Sequence, residues 1–207
     1  MTAKIGKLMV ITDGVQAQKR GLLPTVTAAL RGGADMVQYR EKGRSDYARR
    51  EEINDLLYLT RPRGIALVVN DWFDLAITCG ADGFQLGQKD MSVADARQLG
   101  EGLLVGCAVH SLAQATKAVA QGADYLMVGP VFPTRDEHFP DAPGGLAMVR
   151  EIAKAITIPW FAAGGINEKN VAEVIAAGAT RLALCTALMA ADDPAKVTEK
   201  FAALLKK

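Results

Sequence analysis

Gly33-Ala34-Asp35, Gly80-Ala81-Asp82 and Gly122-Ala123-Asp124 repeat one tripeptide three times, and Gly178-Ala179-Thr180 is an imperfect fourth copy. Each copy follows a stretch with helical patterning and precedes a short apolar run. Glycine just past a helix end takes the left-handed conformation that stops the helix, and the apolar run then enters a strand. Reading outward gives eight such runs: Leu8 to Thr12, Met36 to Arg40, Ile65 to Asn70, Gly83 to Gly87, Leu103 to Val109, Tyr125 to Gly129, Pro159 to Ala163 and Arg181 to Thr186. Helical patterns lie between them at Leu23 to Arg31, Tyr47 to Leu59, Val93 to Gly100, Leu112 to Gln121, Leu146 to Ala155 and Glu168 to Ala177. Only a short helix, Asp74 to Thr78, fits between Asn70 and Gly83. Near-continuous apolar strands alternating with helices imply a parallel sheet covered on both faces. Eight such units in 207 residues predict an α/β fold, a single-domain (β/α)8 TIM barrel spanning residues 1–207.

An open doubly wound sheet competes for the same pattern. Polar or glycine residues, however, are spread over all eight run ends: Asp13, Arg40, Asn70-Asp71, Gly87-Gln88, His110-Ser111, Gly129-Pro130, Gly164-Gly165 and Thr186. A barrel gathers those ends at one mouth, where such folds keep their active sites. An open sheet concentrates its chemistry at a single switch point instead. The even spread favours the barrel.

Composition narrows the function. Twenty-four basic residues against 23 acidic ones give a net charge of +1, which argues against a general nucleic-acid or anionic-membrane binder. A chain of this length buries about 70% of its unfolded surface, so its core needs neither disulfide nor metal. Cys79, Cys107 and Cys185 are odd in number and widely spaced, with no disulfide framework or zinc-ligand spacing. They read as core filling in a reducing cytoplasm. Met1 to Val10 lacks the apolar stretch of a signal peptide, and the longest apolar runs, such as Ile65 to Val69, are strand-sized.

The run ends carry the candidate chemistry. Arg40 and Lys42 suit phosphate, one as a planar fork and the other as a mobile point charge, unless both are solvated surface charges. Asp71 and Asp90 supply hard oxygen ligands for magnesium; the alternatives are a helix cap at Asp71 and a turn at Asp90. Gly164-Gly165 and Cys185-Thr186-Ala187 end the seventh and eighth runs, where barrels often bind phosphate through backbone amides. His110 is a candidate acid or base, or else a hydrogen-bonded structural histidine. His138 lies in Pro133 to Gly145, a Pro-, Asp- and Gly-rich segment long enough for a lid.

Val37-Gln38-Tyr39-Arg40-Glu41-Lys42, Val69-Asn70-Asp71, Gly80-Ala81-Asp82-Gly83, Leu86-Gly87-Gln88-Lys89-Asp90, Gly129-Pro130-Val131-Phe132-Pro133-Thr134 and Ala163-Gly164-Gly165-Ile166 resemble, in order and spacing, the thiamine phosphate synthase family. The resemblance runs from about Leu8 to the C-terminus and extends to the related thiazole tautomerases. It implies a transferase of thiamine biosynthesis that couples hydroxymethylpyrimidine diphosphate to a thiazole phosphate and releases pyrophosphate. In that family pyrophosphate leaves before the thiazole nitrogen attacks. Carried over by position, Arg40 and Lys42 would hold the diphosphate, Asp71 and Asp90 a Mg2+ ion, and Gln38 and Asn70 would contact pyrimidine and diphosphate. Gly164, Gly165 and Thr186 would form the thiazole-phosphate site, and Thr134 would also bind substrate. The two small molecules are the expected partners, a homodimer the expected assembly, and nucleic acid and membrane are not expected.

Three positions depart from the family's pattern. Ala108, in Gly106-Cys107-Ala108, stands where a serine is expected near pyrophosphate. Arg135-Asp136-Glu137 is acidic where a lysine is expected, with Arg135 displaced by two positions as its candidate substitute. Gln85 replaces a histidine. Val109-His110-Ser111-Leu112 resembles the segment carrying the tautomerases' catalytic histidine. Two further readings therefore stand beside the synthase: a tautomerase-type proton-transfer enzyme, and a non-catalytic phosphate-ligand-binding or regulatory barrel.

Overall fold

The apolar runs form β1 (Leu8–Ile11), β2 (Met36–Tyr39), β3 (Ala66–Asn70), β4 (Gly83–Leu86), β5 (Leu104–Val109), β6 (Tyr125–Val128), β7 (Trp160–Ala163) and β8 (Leu182–Leu184). In the computed structural model, which describes residues 4–134 and 142–206, each strand pairs in parallel with the next. β8 closes on β1 through Leu8 opposite Leu182 and Val10 opposite Leu184, so the sheet is a closed barrel and the open-sheet alternative falls. The molecule is a (β/α)8 TIM barrel. Every strand is shorter than its apolar run: the tips at Arg40, Gly87 and Thr186 lie outside the strands, whereas the Thr12 and Gly129 N–H groups still donate to Gln38 O and Val109 O.

The connecting helices are α1 (Gly14–Arg20), α2 (Leu22–Arg31), α3 (Asp46–Thr60), α4 (Phe73–Cys79), α5 (Val93–Leu99), α6 (Leu112–Ala120), α7 (Gly145–Ala155), α8 (Val171–Ala176), α9 (Thr186–Met189) and α10 (Pro194–Leu204). Among the described residues, none is long and apolar enough to cross a membrane. The sequence reading named neither α1, α9 nor α10. α1 buries no residue, so it carries no apolar stripe to read, and α9 is a single turn. α10 starts on the Asp193 cap with Pro194 at its first position, and buries Thr198 and Phe201. It approaches α2 so closely that a Cβ on Gly32 would lie 2.7 Å from that of Thr198.

The repeated tripeptide has a structural role in both its ends. Gly33, Gly80, Gly122 and Gly178 all have positive φ, at 105°, 71°, 92° and 109°, a region that favours glycine. The aspartates then form a bracket that the sequence reading did not foresee. Asp35 donates its N–H to Leu8 O at 3.0 Å, and its Oδ1 accepts the Leu8 N–H at 2.8 Å. Asp82 brackets Leu67 in the same way, at 2.9 and 2.8 Å, and Asp124 brackets Val105 at 2.8 and 2.7 Å. Each carboxylate stands in for the strand carbonyl missing at the barrel's N-terminal end. In the fourth copy the residue before the strand is Arg181, whose Nε instead donates to Gly6 O at 3.2 Å.

Two apolar layers result. Met9, Met36, Ala66, Val68, Leu104, Tyr125, Met127, Phe161, Ala163 and Ala183 fill the barrel, and a larger shell joins the strands' outer faces to the helices. Side chains of alternate strand residues thus close the barrel's interior and leave chemistry to its C-terminal mouth.

Candidate active site

Strand register sets one polar row across the interior. Asn70 lies opposite Gln85, Gln85 opposite Gly106, and Gly106 opposite Tyr125. Gly106 makes the row possible, because a Cβ there would overlap Gln85 Oε1 and the Tyr125 phenol. Gln85 Nε2 donates to Leu86 O at 3.2 Å, but Gln85 Oε1 and Tyr125 OH are buried without a hydrogen-bond partner. Gln38 Nε2, on β2, is buried and unpartnered as well. Leaving such groups unmet costs about 1–3 kcal/mol each, so these three buried atoms are candidates for contact with a polar ligand or water. Burial, with the nearby charge of Asp124, raises the Tyr125 hydroxyl's pKa, which keeps it a neutral donor. Gln38 and Asn70 are site candidates from the sequence; Gln85 stands there only as a departure, and Tyr125 only as the first residue of the sixth run.

Charge sits on the rim. Lys42 Nζ lies 3.4 Å from Asp71 Oδ2, which joins the β2 and β3 loops. Asp71 does not cap α4, whose N-cap is Trp72 without a side-chain bond. It is the one non-glycine residue with positive φ among the described residues, at 64°. Aspartate is one of the few non-glycine residues that adopts this region. Asp90 does close a turn, its Oδ2 accepting from Gly87 N at 2.6 Å. The turn folds toward β5, where Gln88 Nε2 donates to Ala108 O at 2.6 Å. Burial, and after it the Asp90 charge, push the Cys107 thiol up to about 11. Ala108 is half-buried at the end of this strand.

Across the mouth, Gly164 and Gly165 both have positive φ, 87° and 68°. A Cβ on Gly165 would lie 2.7 Å from both Phe132 O and Pro133 O, so the β7 loop fits directly against the β6 loop that leads to Thr134. The glycines do not open the next helix as the sequence pattern suggests. Residues 168–170 form a turn, from which Asn170 Nδ2 donates to Gly165 O at 3.0 Å, before α8 begins at Val171. Thr186, expected in the eighth strand run, is the first residue of α9. His110 follows β5 and its Nδ1 makes a short hydrogen bond to Gly129 O. A carbonyl only accepts, so Nδ1 carries the proton there. The His110 backbone N–H donates to Gln114 Oε1 at 2.7 Å. Arg135, Asp136, Glu137 and His138, and with them the middle of the expected lid, lie outside the described residues.

No group of three or more His, Cys, Asp or Glu side chains among the described residues forms a self-contained metal site. Asp71 and Asp90 nonetheless fit magnesium, which commonly takes one or two carboxylates and completes its shell with water and substrate phosphates.

The description thiamine monophosphate synthase belongs to the family model that matches residues 8–188. The thiamine-phosphate synthase of Chloroflexus aurantiacus is 43% identical over 199 residues, covering 96% of this chain and 92% of that protein. That of Nostoc sp. is also 43% identical, over 186 residues, but the chain spans only 53% of its length. Among solved structures, a thiamine phosphate pyrophosphorylase from Pyrococcus furiosus matches with a TM-score of 0.89 and 36% identity, covering 97% of this chain and 95% of that one.

Proposed function

The chain belongs to the thiamine monophosphate synthase family, and from that premise we propose that it is a thiamine-phosphate synthase. It joins hydroxymethylpyrimidine diphosphate to a thiazole phosphate and releases pyrophosphate, the whole of residues 1–207 serving as one catalytic barrel. The observation that carries this reading is the unpartnered buried trio of Gln38 Nε2, Gln85 Oε1 and Tyr125 OH inside a barrel with a charged rim. Two donors and an acceptor, shut away from water, match a flat heterocycle with acceptor nitrogens better than they match an aliphatic or purely anionic ligand.

With the ring held by those groups, its methylene carbon would face the mouth and the diphosphate would reach the rim. Arg40 and Lys42 stabilise the negative charge that grows on pyrophosphate as the C–O bond breaks. Lys42 exchanges its Asp71 partner for the diphosphate. Asp71 and Asp90 would hold Mg2+, which when bound neutralises charge on the leaving pyrophosphate. The thiazole phosphate rests on the backbone amides of Gly164 and Gly165 and on Thr186, which places the thiazole nitrogen to form the new C–N bond. Thr134 adds a hydroxyl from the β6 loop. Three widely separated cysteines, none in a disulfide, support a cytoplasmic setting.

The His110 imidazole, oriented by its bond to Gly129 O, supports a second reading, proton transfer on a thiazole carboxylate phosphate. The deciding experiment supplies purified protein with each substrate set, with and without magnesium. Magnesium-dependent release of pyrophosphate with formation of thiamine phosphate is expected. Magnesium-independent proton exchange on the thiazole alone would replace the synthase reading with the tautomerase. Phosphate-ligand binding with neither reaction would leave a binding barrel.

A further inference from the structure

The sheet ladder stops at the end of β2, yet the next three carbonyl oxygens all meet side-chain donors. Arg40 O accepts from Thr12 Oγ1 at 3.1 Å, and the same hydroxyl oxygen accepts from Arg40 N at 2.8 Å. Glu41 O accepts twice, from Trp72 Nε1 at 3.1 Å and from Arg49 Nε at 3.3 Å. Lys42 O accepts from Arg49 Nη2 at 3.4 Å. The donors come from three different places: the loop after β1, helix α3 and the loop after β3.

Arg49 is an unusual residue to find here, since it is 5% exposed. Its guanidinium carbon lies 3.7 Å from the centroid of a Trp72 ring, and its Nη1 pairs with Asp46 Oδ1 at 2.6 Å. Stacking on the indole holds the guanidinium plane, so its fork meets two successive carbonyls in a fixed orientation. These donors are directed at the chain's own backbone, which gives Arg49 no direct part in substrate binding. Trp72 directly follows Asp71, so the indole that steadies Glu41 also steadies the carboxylate paired with Lys42.

We propose that Arg49 and Trp72 are positioning residues that clamp the Glu41 carbonyl and thereby present Arg40 and Lys42 to a diphosphate on a rigid backbone. The inference rests on the reading of Arg40 and Lys42 as diphosphate ligands. A strand end without this clamp would have to order three residues on binding, at the expense of affinity and alignment.

Two conservative variants test it. Trp72→Phe keeps an aromatic face for Arg49 and deletes the N–H; Arg49→Lys keeps the charge and deletes the fork. The readouts are the Kd for inorganic pyrophosphate with magnesium and the KM for each substrate. Trp72→Phe is expected to weaken pyrophosphate about fivefold and Arg49→Lys about tenfold or more. KM for the pyrimidine diphosphate should rise in step while KM for the thiazole phosphate stays unchanged. Unchanged pyrophosphate affinity in the variants, or equal losses for both substrates, overturns the clamp. Should Arg49→Lys not fold, the half-buried Trp72→Phe decides alone. A wild-type protein that neither binds pyrophosphate nor releases it overturns the functional reading itself, an outcome distinct from failure of the clamp.

Discussion

Ala108 and His110 stand two residues apart at the end of β5, and the two candidate chemistries ask opposite things of them. A departing pyrophosphate needs donors, so in a synthase Ala108→Ser supplies one that the methyl group lacks. A well-placed donor to developing charge contributes about 3 kcal/mol, on the order of a hundredfold in rate, and a faster Ala108→Ser enzyme is expected. His110→Asn should then cost little, because no proton transfer limits the reaction. In a tautomerase His110→Asn would lose roughly 10²–10⁴-fold and the new serine would do nothing. Steady-state rates of both variants on both substrate sets separate the outcomes. Beside them, Cys107 gives a stability effect with a definite sign. Its thiol ionises near 11 in the fold, against about 8.5 in an unfolded chain. The unfolded state therefore binds fewer protons across that window, and the thiol's contribution, full below the unfolded value, is lost as pH rises through 11. Urea midpoints of wild type should fall between pH 8 and 10.5 more steeply than those of Cys107→Ala; parallel slopes would show that the thiol is not the cause.

Among the elements, the loop after β7 constrains substitution through both its backbone conformation and its neighbours. At φ +68°, with Phe132 O and Pro133 O 2.7 Å from where a Cβ would stand, Gly165→Ala is both strained and obstructed. The strain is worth about 1–3 kcal/mol of stability. Displacing the amides should weaken inorganic phosphate and thiazole phosphate roughly 10–100-fold, the loss of one or two charge-assisted bonds. Calorimetric titration against wild type checks this, and intact phosphate affinity would move the site to another loop. The strands around this loop were legible because each is an apolar run introduced by a glycine or ended by a polar residue. Arg40, Lys42, Asp71 and Asp90 stand out as candidates for the same reason, as polar residues at or just beyond the ends of those runs. What the pattern hid has a common cause: it depends on register or on long side chains reaching between elements. Tyr125 reads as a strand aromatic until Gly106 is seen opposite it. Arg49 reads as a solvated helix charge until Trp72 is seen beneath it. α1 stayed hidden because it buries nothing.

Over the whole molecule, the barrel divides into an end braced by the repeated aspartates and a mouth that carries the candidate site, and the aspartates allow the division to be tested. Asp82 holds Leu67 at the N-terminal end of β3, while Asn70 and Asp71 stand at the other end of the same strand. Strands rise about 3.3 Å per residue, so the bracket and the polar row are roughly 10 Å apart along β3. Asp82→Ala deletes the acceptor for the Leu67 N–H and leaves the donor buried in the barrel wall, at about 1–3 kcal/mol. For a chain of this size each kcal/mol lowers Tm by about 2–4 °C, so a drop of roughly 2–12 °C is expected. Because the mouth is built from residues beyond the bracket, kcat and both KM values measured well below the melt should match wild type. A thermal melt paired with steady-state kinetics at 25 °C makes the comparison. A kinetic change accompanying the loss of stability would mean that strain at the barrel's base is transmitted along β3 to Asn70 and Asp71, and that the two ends are not independent.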